Sequence, residues 1–264
     1  MKNSLIAIGL TGALLSTSSL AVDLIGHTKS KSMVSVVSEV SGMVESADFE
    51  TGSIVSVGSV LAEIKAQDFE LEISKQKANL ALVKADLTIK QSLYNRYNEL
   101  RNKNSLSQNE LDIAAADFDA AKAAVALAQI ELQKAQLDLG STRVSAEIDG
   151  YIVNRSVEDG AWVNQGDLLY QVVNIDVLNV RLLASEYDIG ELRIGQEVEV
   201  WAEANPDHKV RSQIKRIGVE IDPATFAYPV EVEISNPDHL FKPGMSIHAS
   251  TTLTGSLTHS NNQS

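Results

Sequence analysis

The five histidines, at positions 27, 208, 239, 248 and 259, have the most obvious capacity for proton transfer or metal binding, and they stand isolated from one another. Acid–base catalysis and zinc binding both need groups that converge at set spacings. No His-Glu-x-x-His, Gly-x-Ser-x-Gly, Gly-x-Gly-x-x-Gly or Walker-type loop occurs in the sequence. His208 and His239 each follow Asp in a Pro-Asp-His turn, which is the one pairwise metal arrangement on offer. The absence of cysteine removes disulfides, thiolate metal sites, thiol catalysis and lipid attachment through an N-terminal Cys. Met1, Met33, Met43 and Met245 are too scattered for a soft-metal relay. The expectation is therefore no catalytic residue, no metal and no cofactor.

Charge narrows the partners. Lys and Arg total 22 against 35 Asp and Glu, a formal charge of −13 that repels nucleic-acid phosphates and anionic lipid headgroups. With 264 residues, 44% of them apolar, the chain can bury one large core or two to three small ones.

An internal repeat organises the chain. Gly42, Gly52 and Gly58 recur as Gly150, Gly160 and Gly166, both sets reading Gly-x9-Gly-x5-Gly at a constant offset of 108. Apolar positions keep the same offset: Val44 with Ile152, Val55 with Val163, Val60 with Leu168, Leu61 with Leu169 and Ile64 with Val172. Short β-branched runs between glycine turns predict two halves of a flattened sandwich, with the six glycines as structural turn residues.

Residues 67–139 separate the copies and contain neither Gly nor Pro. Leu111, Phe118, Val125, Leu132 and Leu139 repeat every seven residues, with Ala114, Ala121, Ala128 and Ala135 at the +3 positions. Ile73, Leu80, Leu87 and Tyr94 form the matching earlier series, with Val83 and Tyr97 at two of its +3 positions. This is a coiled-coil seam that breaks once, at Lys103-Asn104-Ser105. After the break, Ser107 and Glu110 have capping-box spacing, Leu106 and Leu111 have the spacing of a hydrophobic staple, and Gly140 is expected as the C′ stop. An antiparallel hairpin follows, with arms of about 36 residues and ~50–55 Å. Near its tip, Arg96 lies off the seam and Leu100 lies one turn further on, toward the same outer face.

The chain opens with Met1-Lys2-Asn3-Ser4, an apolar run from Leu5 to Leu15 and small residues at Ser19 and Ala21. That is the pattern of a cleavable secretory signal peptide. An uncleaved anchor would need a run closer to the ~20 residues that span a bilayer. Beyond Val173 the pattern alternates apolar and acidic residues, as in Glu197 to Trp201 and Val230 to Ile234. A small β-barrel is expected there, with a short helix over Glu186 to Leu192 capped by Ser185 and a turn at Pro243-Gly244.

The fold class read from these elements is α+β and elongated: a split, flattened β-sandwich, an inserted antiparallel helical hairpin, then a small β-barrel with one short helix. The expected boundaries are 1–21 signal peptide, 22–34 lead-in, 35–66 with 141–175 split sandwich, 67–140 hairpin, 176–254 barrel and 255–264 polar tail.

This arrangement resembles the periplasmic adaptor family, the HlyD-like membrane fusion proteins of tripartite efflux pumps, and the resemblance implies that the split sandwich is lipoyl-like, a barrel-sandwich hybrid. The resemblance runs from about Val34 to Thr252. It is carried most specifically by Thr142 through Gly150, by Glu186-Tyr187-Asp188-Ile189 with Leu192 and Gly195-Gln196, and by Asn236-Pro237 through Leu240 to Pro243-Gly244-Met245. Glu147 stands where the family usually has Pro, and about a dozen polar residues stand where it usually continues into a membrane-proximal domain.

Arg96, Leu100 and Ser107 fit Arg-x3-Leu-x6-Ser, which resembles the motif by which adaptor hairpins engage a TolC-like outer-membrane channel. The resemblance implies a periplasmic protein, peripheral to the inner membrane. It would form a homo-oligomeric ring, a hexamer by family, and join an inner-membrane pump to that channel without catalysing a reaction. A proton-driven resistance-nodulation-division (RND) transporter is the expected pump, with an ATP-driven exporter as the alternative. The sandwich is also similar to biotinyl and lipoyl carriers, but the helical hairpin occupies the point where a carrier presents its Met-Lys-Met lysine. A purely structural coiled coil would need neither a duplicated sandwich nor a barrel.

Overall fold

The computed structural model describes residues 22–252, with two consecutive helices set between runs of strands; the expected signal peptide and the polar tail over 255–264 lie outside the described residues. In chain order the elements are β1 (Asp23–Val37), β2 (Gly42–Ser46), β3 (Ile54–Val55), β4 (Val60–Ile64), α1 (Gln67–Asn102), α2 (Gln108–Gly140), β5 (Arg143–Ser145), β6 (Gly150–Arg155), β7 (Trp162–Val163), β8 (Leu168–Ala184), β9 (Glu197–Ala202), β10 (Asn205–Ile217), β11 (Tyr228–Ser235) and β12 (Ser246–Ser250). The chain divides into two units, one of residues Ser32–Ile175 and one joining the segment up to Lys31 with the segment from Asp176 onward.

In the first unit, β5-β4-β2-β7 form one sheet, and the start of β8 pairs with β6, which pairs with β3. The repeat appears as a reciprocal set of backbone hydrogen bonds between the two halves. Gly52 N–H donates to Ile152 C=O at 2.7 Å, and Gly160 N–H donates to Val44 C=O at 2.9 Å. Gly58 donates to Ala146 at 2.8 Å, and Gly166 to Ser38 at 2.7 Å. Each bond has a counterpart 108 residues on, so each half satisfies backbone groups of the other. Four of the apolar repeat pairs are buried together, whereas Val60 is exposed and Leu168 only half-buried.

Gly52, Gly58, Gly160 and Gly166 have positive φ, as expected of turn residues. Gly42 and Gly150 do not: they open β2 and β6, and what they require is close approach. A Cβ on Gly42 would sit 2.6 Å from Ile64 Cγ2, and one on Gly150 would overlap the Val173 carbonyl oxygen.

Because the bonds run between halves, a cut at the far end of the hairpin should leave them joined. Limited proteolysis near Asn104 followed by native size-exclusion should return one species holding both fragments. Separate elution of the fragments would show that the halves do not depend on each other.

The hairpin forms on the expected seam. Ala114, Ala121, Ala128 and Ala135 are all buried, and Tyr94 stacks on Phe118 across the helices with centroids 5.6 Å apart. Alanine on one side permits this close approach, and the larger residues of both helices fill the edges. Gly140 is the last helical residue rather than a left-handed C′: Ser141 caps the helix with φ −72, and Thr142 Oγ1 donates to Leu139 C=O at 2.7 Å. The Thr142 hydroxyl supplies the termination that a left-handed glycine would otherwise give.

In the second unit, β1-β12-β9-β10-β11-β8 close into a six-stranded barrel through pairing of β1 with β8. Leu178, Val180, Leu182, Val198, Val200, Val230, Val232, Ile234 and Ile247 alternate inward and are buried. The expected lead-in is thus partly a barrel strand: Asp23 to His27 pair with Ser250 to Ser246. Without it, β12 and β8 would leave two open edges.

The short helix expected over Glu186 to Leu192 is a run of hydrogen-bonded turns. Its predicted cap is present, with Ser185 Oγ accepting from Asp188 N–H at 3.3 Å and Asp188 Oδ2 accepting from Ser185 N–H at 3.3 Å, but only six residues precede buried Leu192, and Gly190 falls among them. The Asn236-to-Met245 signature also has a structural basis. The buried Asn236 amide donates to Phe241 C=O at 2.8 Å and accepts from Phe241 N–H at 3.1 Å, tying the loop that leads into β12. Among the described residues, no helix is long and apolar enough to cross a membrane.

Candidate functional site

The hairpin tip is built by two complementary helix ends. At the end of α1, Ser105 N–H bonds to Leu100 C=O at 2.9 Å and Asn104 N–H to Arg101 C=O at 2.9 Å. This is a Schellman motif with Asn104 as the left-handed C′ residue at φ 57. At the start of α2, Ser107 is the N-cap. Its hydroxyl accepts from Glu110 N–H at 3.2 Å, and Glu110 Oε2 accepts from Ser107 N–H at 3.0 Å, completing the capping box. Leu106 and Leu111, the expected staple, are both half-buried. The hydrogen bonds from the Ser107 side chain and then its backbone hold the Glu110 carboxyl below the usual carboxylate range. The cap's contribution is therefore complete above the unfolded-state pKa and is lost as pH falls through the folded one.

Arg96 is exposed and has no hydrogen-bond or ion-pair partner among the described residues, whereas its neighbour Arg101 donates from Nε to Gln108 Oε1 at 3.2 Å across the tip. Leu100 is half-buried, with its carbonyl used in the Schellman motif. Ser107 is exposed but committed to its cap. The structure thus brings all three to one end of the hairpin: a free guanidinium, a partly covered apolar side chain one turn away, and a hydroxyl at the start of the second helix. Such a surface can recognise a partner by charge and shape.

The seam also contains a pair that the heptad reading passed over. Lys90 occupies a +3 position, between Val83 and Tyr97, and its Nζ lies 2.8 Å from Asp117 Oδ2 on α2. The Asp117 hydrogen bond raises the Lys90 ammonium above the ordinary lysine range. The signal was a charge inside an apolar series, and such a residue specifies helix register. Of the two Pro-Asp-His histidines, His208 lies in β10 rather than in a turn, its ring 5.6 Å from that of Phe241 between centroids, and His239 Nε2 is 2.7 Å from Asp176 Oδ1.

Two family models match this chain: the RND membrane fusion protein alpha-helical hairpin domain over residues 72–142, and the CusB-like beta-barrel domain over residues 180–255. Together they span more than half of the sequence. The toluene efflux pump periplasmic linker protein TtgD of Pseudomonas putida is 28% identical over 245 residues, covering 87% of this chain and 60% of TtgD. The multidrug efflux pump subunit AcrA of Escherichia coli is 28% identical over 259 residues, covering 92% of this chain and 65% of AcrA. The chain therefore spans about three fifths of the length of these curated relatives. The crystal structure of MacA from Actinobacillus actinomycetemcomitans shares the fold with a TM-score of 0.75 at 23% identity, covering 87% of this chain and 77% of MacA.

Proposed function

The chain belongs to the membrane fusion proteins of RND-type efflux pumps, and on that premise we propose that it is a periplasmic adaptor joining an inner-membrane transporter to a TolC-like outer-membrane channel. In this reading it performs no chemistry of its own. The hairpin reaches the channel, the sandwich and barrel pack into a homo-oligomeric ring around the export path, and a proton-driven transporter supplies the energy. Residues 1–21 direct export, and the mature protein works in the periplasm at the surface of the inner membrane. The working segments are 35–66 with 141–175 for the sandwich, 67–140 for the hairpin and 176–254 for the barrel.

The observation that carries this reading is the tip. The free, exposed Arg96 stands off the seam, where the hairpin's own folding makes no use of it. An unpaired guanidinium with a leucine one turn away suits docking onto a surface with acceptor groups and a shallow apolar groove. The test is a photo-reactive amino acid at position 96 in growing cells. It should yield an adduct with an outer-membrane channel protein. If export proceeds normally and position 96 gives no adduct with such a protein, the proposed docking is wrong.

A further inference from the structure

The seam of α1 ends on a charge. Ile73, Leu80, Leu87 and Tyr94 recur every seven residues, and the next position in that series is Arg101, half-buried in the last turn of the helix. The helix dipole favours a cation in this turn, but any exposed Lys or Arg there would satisfy it. A guanidinium on the seam itself calls for a second reason.

Its hydrogen bonds supply that reason. Arg101 Nε donates to Gln108 Oε1 at 3.2 Å, and Gln108 Nε2 donates to Asp112 Oδ1 at 2.8 Å. An ionised carboxylate only accepts, so Asp112 turns the amide nitrogen of Gln108 toward α2 and leaves its oxygen for Arg101. That oxygen takes one of the five guanidinium N–H groups, and the Nη groups have no hydrogen-bond or ion-pair partner among the described residues. The carboxylates at the start of α2 are committed elsewhere, Glu110 to the Ser107 cap and Asp112 to Gln108. A neutral amide thus orients the guanidinium without neutralising it; a carboxylate in its place would hold Arg101 equally well and spend its charge.

We propose that Arg101 is a specificity-determining residue of the hairpin tip, presented by Gln108 and Asp112 to a carboxylate on the docking partner. The Nη fork has the planar geometry that a carboxylate accepts with both oxygens. Charge favours the same group: from Asn95 to Ser107 the tip carries Arg96, Arg101 and Lys103 against Glu99 alone, in a chain of formal charge −13. The inference rests on the docking reading above and adds to it a residue outside the Arg-x3-Leu-x6-Ser pattern.

The test places a photo-reactive amino acid at exposed position 98 of the full chain in cells, in three backgrounds. With Arg101 and Gln108 intact, the adduct should form with an outer-membrane channel protein, and peptide mapping should place it beside an Asp or Glu of that protein. Arg101→Gln removes the charge, keeps a donor for Gln108 Oε1, and should cut the adduct yield about tenfold. Gln108→Glu is the deciding variant. It gives Arg101 a carboxylate to pair with inside the tip, and an acidic residue at the first position of α2 suits the helix N-terminus, so melting should hold while the yield falls by a similar factor. A purely structural role for the pair requires the opposite, since the tighter tether would leave docking intact. Parental yield from either variant overturns the proposal, as does lower melting that accompanies the loss in both, or an adduct site with no carboxylate beside it. If the unsubstituted chain still captures the channel in those cases, the docking reading stands and Arg101 alone is misassigned; adducts only with lipid, or none in any background, remove the docking reading itself.

Discussion

Charge reversal at the hairpin tip should abolish export without altering the fold. In Arg96→Asp the exposed guanidinium is replaced by a carboxylate at a position that makes no internal ion pair, so the stability cost should stay within ~0.5 kcal/mol. The proposed docking surface, by contrast, loses a cation and gains a carboxylate. Leu100→Asp removes apolar contact area and should have the same outcome, at a somewhat larger cost to the helix because Leu100 is half-buried. Ser107 needs a different substitution, since its hydroxyl holds the Glu110 N–H and its loss alone costs ~1 kcal/mol of cap. Ser107→Asp keeps a capping acceptor while changing the surface. It places a second carboxylate beside Glu110, so export should weaken rather than vanish. The measurement is substrate efflux at matched periplasmic abundance, with thermal melting of each purified variant. Wild-type efflux by both Arg96→Asp and Leu100→Asp would show that the three-residue pattern is coincidental and that docking uses another surface.

A large loss of stability should come from Gly150→Ala. A methyl group there would overlap the Val173 carbonyl oxygen and stand 2.7 Å from its carbon. Neither backbone can yield, because β6 is paired on one side with β8, through Tyr151 with Val173, and on the other with β3, through Ile54 with Tyr151. Relief requires parting a ladder at the centre of the sandwich, so the expected cost is about 3 kcal/mol or more. Two controls separate this cause from generic glycine loss. Gly160→Ala meets open space but must hold φ 77, which should cost ~1–2 kcal/mol. Gly42→Ala is the equivalent position 108 residues earlier and meets only the Ile64 side chain, which can rotate, so its cost should be lower than that of Gly150→Ala. Denaturant unfolding of the three variants gives the order, and a Gly150→Ala protein as stable as Gly160→Ala would rule out the close-approach argument.

Most of the hairpin was legible in the sequence because its determinants lie within a few residues of one another. The seven-residue series places Ala114, Ala121, Ala128 and Ala135 on one face, and Ser107 with Glu110 starts the second helix through bonds spanning three residues. The turn glycines at 52, 58, 160 and 166 were readable for the same reason, and the constant offset of 108 revealed that two distant segments are one module. Arg96, Leu100 and Ser107 could be placed at one end because a hairpin has only one tip. Tertiary structure decided the rest. Residues 23–27 become a barrel strand only because Ser246 to Ser250 supply the backbone groups they pair with, more than 200 residues away. Gly150 has no turn to make, and its constraint comes from a carbonyl on a neighbouring strand. Lys90 sits in an apolar series because Asp117 on the opposite helix receives it. Asp222 is held in the β10–β11 loop by Arg181 of β8, 41 residues earlier in the chain, at 2.7 Å. Helical periodicity, capping and turn chemistry are set by adjacent residues and can be read along the chain. Strand pairing, close approach and ion pairs between elements depend on which distant groups the fold brings together.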